Sequence, residues 1–266
     1  MRFSIVLSTQ PASFNAVAYK GHIKDNLRKI KNLGYDGVEL AVRDPKLLDL
    51  NELMGLLEQV NLPVPALGTG QAYGEEGLSF TNADLDIRTR AIDRIKTHIG
   101  LARKLNAVVI IGLIRGKSQP GISYSQSEEW LVEAIRECAS TDAYVKLAIE
   151  PINRYETDLI NTVISGLNLL DKIAKDNVGL LLDTFHMNIE EPSILESIES
   201  AKDRMFHFHV ADSNRWYPGA GHIDFQEVYN LLHKINYQGF ISAEILPLPD
   251  ADTAAIKAIE TLHSIA

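Results

Sequence analysis

The chain is predicted to be an α/β protein, a single (β/α)8 barrel spanning 1–266. Three observations carry this. Short apolar, β-branched runs alternate with longer stretches of helical period along the whole length. There are eight such pairs, with no linker, composition break or low-complexity segment between them. The connections after strands are longer than those after helices, as expected where loops build a functional face at the strand C-termini.

The elements follow in order. Strands are expected near 2–8, 37–41, 63–69, 107–113, 146–151, 178–184, 205–211 and 239–246. Helices are expected near 22–33, 49–60, 84–105, 125–139, 160–174, 193–200, 225–235 and 251–265. Gly34 ends the first helix, and Asp49 or Asn51 starts the second. Gly37, Gly112, Gly179 and Gly239 fall at or beside strand edges. The segments GTGQAYGEEGLSFTN, GLIRGKSQPGIS and ADSNRWYPGAGHID are read as the long loops after the third, fourth and seventh strands.

Composition narrows the function. A formal charge of −9 disfavours a protein that clamps a nucleic-acid backbone. No run approaches the roughly 20 apolar residues of a membrane span, and the first residues lack the apolar block of a signal peptide. The lone Cys138 permits no intrachain disulfide and is read as a small buried apolar residue. The expectation is a cytoplasmic enzyme with a small-molecule substrate, no nucleic acid and no membrane.

Four successive apolar runs, KLAIE, VGLLLD, FHFH and ISAE, end on Glu150, Asp183, His209 and Glu244. On strands of one barrel these side chains converge. One acid at a strand end is often a helix cap or an ion-pair partner; four in register are expected to bind a divalent cation. Three carboxylates and one imidazole suit Mn²⁺, with Mg²⁺ or Co²⁺ as alternatives, better than a structural zinc. His207 shares the parity of His209 but lies deeper, and is read as packing below it with a hydrogen bond. Asp212 is a further candidate ligand. Glu156, His186 and Arg215 extend from the same strands into the loops above and would offer an acid, an imidazole and a guanidinium to a polar ligand. Phe185, Trp216 and Tyr217 are candidates to wall the site. GTGQAYG does not form a dinucleotide-binding turn.

The blocks IEPINRYETD, LLDTFHMNIEE, HFHVADSNRWYPGAGHIDF and AEI resemble the xylose-isomerase-like TIM barrels, and within them the D-tagatose/D-psicose/L-ribulose 3-epimerase group. AVRDP, ALGTGQAY and VVIIGLIRG are similar to the related 5-keto-L-gluconate epimerase. The resemblance implies metal ligation by Glu150, Asp183, His209 and Glu244, with Glu150 and Glu244 also the two catalytic carboxylates. It implies substrate contacts at Glu156, His186 and Arg215, and a homodimer or homotetramer.

Ala211–Asp212 stands where the 3-epimerases carry a Gly–Glu pair, and Trp216 and Tyr217 replace more polar residues. These departures point to a keto-uronate, such as 5-keto-L-gluconate or D-tagaturonate, ahead of a free ketose. Arg43, Arg115, Arg154 and Lys117 are candidate partners for its carboxylate. The expected reaction inverts the carbon next to a ketone through an enediolate, one carboxylate removing a proton and the other returning one. The rival readings are an aldose–ketose isomerase like hydroxypyruvate isomerase, a metal-dependent DNA-repair endonuclease, and a non-catalytic sugar-binding barrel.

Overall fold

Strand β1 (Arg2–Ser8) pairs in parallel with β3 (Gly37–Ala41) on one side and β9 (Phe240–Ala243) on the other, and this double pairing closes the sheet into a barrel. The computed structural model describes residues 1–266. Around the ring follow β4 (Ala66–Gly68), β5 (Val108–Ile111), β6 (Leu147–Ile149), β7 (Val178–Asp183) and β8 (Met205–Val210). A two-residue strand, β2 (Tyr19–Lys20), pairs with the end of β1 outside the ring.

The outer layer holds α1 (Ile23–Asn32), α2 (Leu50–Val60), α4 (Leu85–Leu105), α5 (Tyr124–Ala139), α6 (Val163–Ile173), α8 (Ile194–Ala201), α9 (Phe225–Lys234) and α10 (Ala251–Ser264). Two short helices, α3 (Gly70–Glu76) and α7 (Thr184–Glu190), lie directly after β4 and β7.

Most helices start where a short polar side chain satisfies an otherwise unpaired N–H. Asp49, Asp84, Ser123, Thr162, Ser193, Asp224 and Asp250 each accept such a bond. Thr162 explains why α6 begins at Val163 and not at the expected 160. β4 is shorter than expected because Pro63 and Pro65 have no N–H to give a ladder. The glycine-rich GTGQAYG is helical over α3, where a loop was expected. Glycines lower helix propensity, but tertiary bonds hold this turn: Gln71 Nε2 donates to Ser8 Oγ at 2.7 Å, and Glu75 accepts from the Ser13 amide at 2.6 Å.

Alternation along the strands divides the interior in two. Outward residues such as Leu7, Leu40, Val109, Ile149, Leu182 and Phe208 join the helices in one large core. Inside the ring, apolar packing is sparse: Ala66, Ile110, Ala148 and Leu181 form one small group, and Val6, Val17 and Ala41 another. Ser4, Glu39, His207 and Ser242 are buried polar residues on these strands. A register shift between Leu180 and Leu181 pairs Leu180 with Met205 but Leu181 with His207, leaving Phe206 as the extra residue. Above this shift Asp183 pairs with His209 and His209 with Ser242, which brings β7, β8 and β9 to a common level.

Candidate active site

Glu150, Asp183, His209 and Glu244 present one donor atom each, all within 4.8 Å of one another. His209 Nδ1 sits between the carboxylates, 3.9 Å from Glu150 Oε1, 3.8 Å from Asp183 Oδ2 and 3.7 Å from Glu244 Oε2. Glu150 follows β6, Asp183 ends β7, His209 lies in β8 and Glu244 follows β9, so the cluster stands at the C-terminal mouth of the barrel. Asp183 divides its oxygens: Oδ1 accepts the Phe185 amide at 2.8 Å and caps α7, while Oδ2 faces the cluster. It is therefore both a helix cap and a member of the site.

Two donor atoms of this group, Glu150 Oε1 and His209 Nδ1, are buried without a hydrogen-bond partner. Buried lone pairs normally find a proton or a cation. Three carboxylates and an imidazole around one point are the hard, mostly oxygen donor set of a divalent ion. The residues present therefore fit such an ion.

Electrostatics follow from this crowding. Burial, and then the Glu244 carboxylate, push Glu150 up to about 8. Burial raises Glu244 to about 7, against the lowering effect of Arg215. His209 is raised to about 10 because the attraction of Glu39, Glu244 and Glu150 outweighs its burial. His186 moves the other way: burial lowers it to about 3, so it is a neutral imidazole.

Arg215 is the one guanidinium at the cluster. Its guanidinium bonds Asp183 Oδ2 at 2.5 Å and also Glu244 Oε2, and its far side lies 4.7 Å from the Phe185 ring centroid. Its backbone is in the left-handed region at φ 64, uncommon for a side chain of this size. Two bonds hold it there: Arg215 N–H to Asp212 O at 2.8 Å and Leu246 N–H to Arg215 O at 2.9 Å. Asp212 is not in the cluster. It accepts the amides of Ser213, Gly219 and Ile223 and shapes the loop that aims Arg215. A Cβ on Gly221 would stand 2.2 Å from Asp212 Oδ1, so this loop requires glycine there.

His186 reaches 3.6 Å from Glu150 Oε1, with its Nδ1 2.8 Å from Asn153 Nδ2. Asn153 also donates to Glu156 Oε1 at 2.9 Å. Glu156, His186 and Arg215 all line one cavity with Glu150, His209 and Glu244. Phe14, Ala41, Gly68, Thr69, Gly70, Gln71, Gly112 and Leu113 also line it.

Several sequence-based expectations are corrected. Trp216 and Tyr217 do not line the cavity, whereas Phe185 backs Arg215. None of the four cations proposed for a substrate carboxylate lines it either. Arg115 is fully buried and donates to the carbonyls of Glu150, Leu159 and Ile160, so its head is used to fasten the chain. Arg154 is held by Glu190 at 2.7 Å, Arg43 lies 3.8 Å from Glu76, and Lys117 is exposed.

Glu39, Asn153 and Gln71 were missed as site residues. Glu39 carried a signal, as a lone charge in the apolar run GVELA. His207 does pack below His209, with its Nε2 2.7 Å from Glu39 Oε2. Cys138 is buried in α5 with its thiol pushed up to about 12, chiefly by burial.

A closed parallel barrel with an acidic, imidazole-bearing mouth places the chain among the (β/α)8 barrels. Residues 27–265 match the xylose isomerase-like TIM barrel family, and the chain belongs to it. An L-ribulose 3-epimerase of Methylomonas sp. (strain DH-1) is 32% identical over 220 residues, covering 79% of this chain and 74% of the relative. A 3-dehydro-D-guloside 4-epimerase of Escherichia coli (strain K12) is 27% identical over 239 residues, covering 86% and 89%. The crystal structure of a D-allulose 3-epimerase from Methylomonas sp. in complex with D-allulose superposes with a TM-score of 0.83 at 26% identity, over 100% of this chain and 98% of the other. The chain is an isomerase acting on carbohydrates, a sugar epimerase. No helix is long and apolar enough to cross a membrane.

Proposed function

We propose that the protein is a divalent-metal-dependent epimerase that inverts the carbon next to a ketone, with Glu150 and Glu244 as the two catalytic carboxylates. The observation that carries this reading is the placement of those two residues. They follow β6 and β9, the outer pair of four consecutive strands, with Asp183 and His209 between them. Carboxylates arriving from two flanks suit removal of a proton on one face and delivery on the other.

A divalent cation held by Glu150, Asp183, His209 and Glu244, Mn²⁺ in preference to Mg²⁺ or Co²⁺, would draw electron density from the ketone and lower the cost of an enediolate. Glu150 or Glu244 takes the α-proton in its ionised form, and the other, protonated, returns one. His186, a neutral imidazole locked by Asn153, and Glu156 at the cavity rim bind hydroxyls near the carbonyl end. Arg215 orients the substrate.

The leading substrate is a keto-uronate such as 5-keto-L-gluconate or D-tagaturonate. Beyond the carboxylates, the cavity wall includes Ala41, Gly68, Thr69, Gly70, Gln71, Gly112 and Leu113. These come from the blocks AVRDP, ALGTGQAY and VVIIGLIRG, which carry the likeness to the keto-uronate enzyme. A free ketose is the second reading. It is favoured by the lack of a lysine or arginine among those residues, which leaves a carboxylate beside them only neutral donors such as Gln71 and Thr69. One barrel unit over 1–266, working as a cytoplasmic homodimer or homotetramer, completes the reading; sedimentation of the purified protein checks its assembly.

The test is a screen of ketoses and keto-uronates with Mn²⁺ in deuterium oxide, followed by proton NMR. Deuterium entering the carbon beside the ketone, with formation of the epimer and loss of both with EDTA, is the expected result. Isotope entry at C1 with an aldose product would replace the epimerase by an aldose–ketose isomerase. Full turnover in EDTA would remove the metal from the reaction.

A further inference from the structure

We infer that Glu39 is the positioning residue for His209: its carboxylate accepts a hydrogen bond from the imidazole Nε2–H, so that the lone pair on Nδ1 faces Glu150, Asp183 and Glu244. This rests on the metal-centred reading above and adds to it a residue outside the cation-binding set.

The geometry is specific. Glu39 projects into the ring from the middle of β3, and His207 and His209 project from β8. His209 Nε2 lies 3.0 Å from both Glu39 oxygens, and His207 Nε2 lies 2.7 Å from Oε2. The two rings meet edge to face at 5.2 Å and 79°. All three side chains are at most 2% exposed. The only ion-pair partners of Glu39 are these two imidazoles; no lysine or arginine reaches it.

A carboxylate buried in a barrel with no lysine or arginine beside it is costly and adds no packing that an apolar residue would not supply better. Its presence is accounted for if it sets the chemistry of His209. An imidazole nitrogen that donates to a carboxylate leaves the other nitrogen free of its proton for ligation, fixes the ring plane and makes that nitrogen more basic. His209 Nδ1, the atom so left, is buried, without a hydrogen-bond partner and 3.7–3.9 Å from three carboxylate oxygens. His207 holds the second bond to Glu39 and so sets the carboxylate's rotation. The resulting chain runs His207, Glu39, His209, cation site, from the barrel interior to its mouth.

The test is titration calorimetry of Mn²⁺ into the metal-stripped wild type and Glu39→Gln, beside their metal-free melting temperatures. The expected result is a Kd weaker by about 10–100-fold in Glu39→Gln, with both proteins folded at the temperature of the titration. An unchanged Kd overturns the inference, including the case in which the metal-free melting temperature drops, since that marks a purely structural carboxylate. Wild type that binds no Mn²⁺ would instead overturn the metal-centred reading, and this inference with it. Should Glu39→Gln not fold, nitrogen-15 NMR of histidine-labelled wild type saturated with Mg²⁺ decides. A proton on His209 Nε2 and none on Nδ1 supports the inference; the opposite tautomer overturns it.

Discussion

Arg215 Nη1 stands 2.5 Å from Asp183 Oδ2, so a guanidinium lies against a carboxylate of the proposed cation-binding set. The same head bonds Glu244. Arg215 thereby sets one positive charge against two of the cluster's three acids without leaving the cavity wall, where it can also meet a substrate oxygen. Arg215→Gln leaves those acids facing one another. Breaking a buried ion pair in this way costs roughly 3–5 kcal/mol, so the metal-stripped variant is expected to melt well below wild type. Saturating Mn²⁺ should recover most of the difference, while turnover of the preferred sugar remains depressed about 100-fold or more. Thermal melts with and without Mn²⁺, beside initial rates, check both halves.

Glu150 and Glu244 are expected to be individually indispensable. Glu150→Gln and Glu244→Gln each keep the shape of the side chain but remove its capacity to take a proton. Each should lower exchange of the α-proton with solvent deuterium by at least about 10²–10⁴-fold, the usual span of general acid–base catalysis. Undiminished exchange in both variants would contradict the two-carboxylate scheme. The measurement is proton NMR of the substrate in deuterium oxide.

The pH dependence of stability has a definite sign. Glu150 and Glu244 are raised to about 8 and about 7 in the folded, cation-free protein, above the ordinary carboxylate range of the unfolded chain at about 4.3. Between these limits the folded state holds protons the unfolded state has released, so stability falls as pH rises. His209, raised to about 10, acts with the same sign above about 6.5. His186, lowered to about 3, acts with the opposite sign up to about 6.5, where the unfolded imidazole loses its proton, so metal-stripped protein should melt lower at pH 8 than at pH 6.5. Mn²⁺ must displace these protons, so its stabilising effect should be larger at pH 8 than at pH 6. Melting curves across that range in EDTA and in Mn²⁺ supply the check; a flat metal-free profile would refute the stated shifts.

Arg115 separates a structural guanidinium from a substrate-binding one. It is fully buried and bonds the Glu150, Leu159 and Ile160 carbonyls. Arg115→Met strips three buried carbonyls of their donor and should cost about 3 kcal/mol or more in denaturant unfolding. Arg43→Ala, which removes a half-exposed partner 3.8 Å from Glu76, should cost at most about 1 kcal/mol. Neither residue lines the cavity, so folded Arg43→Ala should keep the wild-type KM for any acidic sugar.

Much of the fold and half of the site were legible in the chain because they are local. Alternating apolar runs and short polar caps specify strands and helix starts within a few residues, as at Asp49 and Thr162. The ends of KLAIE, VGLLLD, FHFH and ISAE identified Glu150, Asp183, His209 and Glu244 through strand parity and position alone. Burial below His209 followed from the same parity for His207. The helical state of α3 did not follow, since its glycines argue against a helix that bonds to Ser8 and Ser13 make possible.

What the sequence by itself determined about this protein is periodic and local: the order of strands and helices, and which residues end each strand. What only the tertiary structure decided is partnership across the barrel. Glu39 meets His207 and His209 over separations of 168 and 170 residues, and Arg115 meets carbonyls more than 30 residues on. Whether a buried charge binds a ligand, orients a ligating imidazole or fastens a loop depends on what stands within about 3 Å of it. Such distances are set by closure of the ring, which no local pattern records.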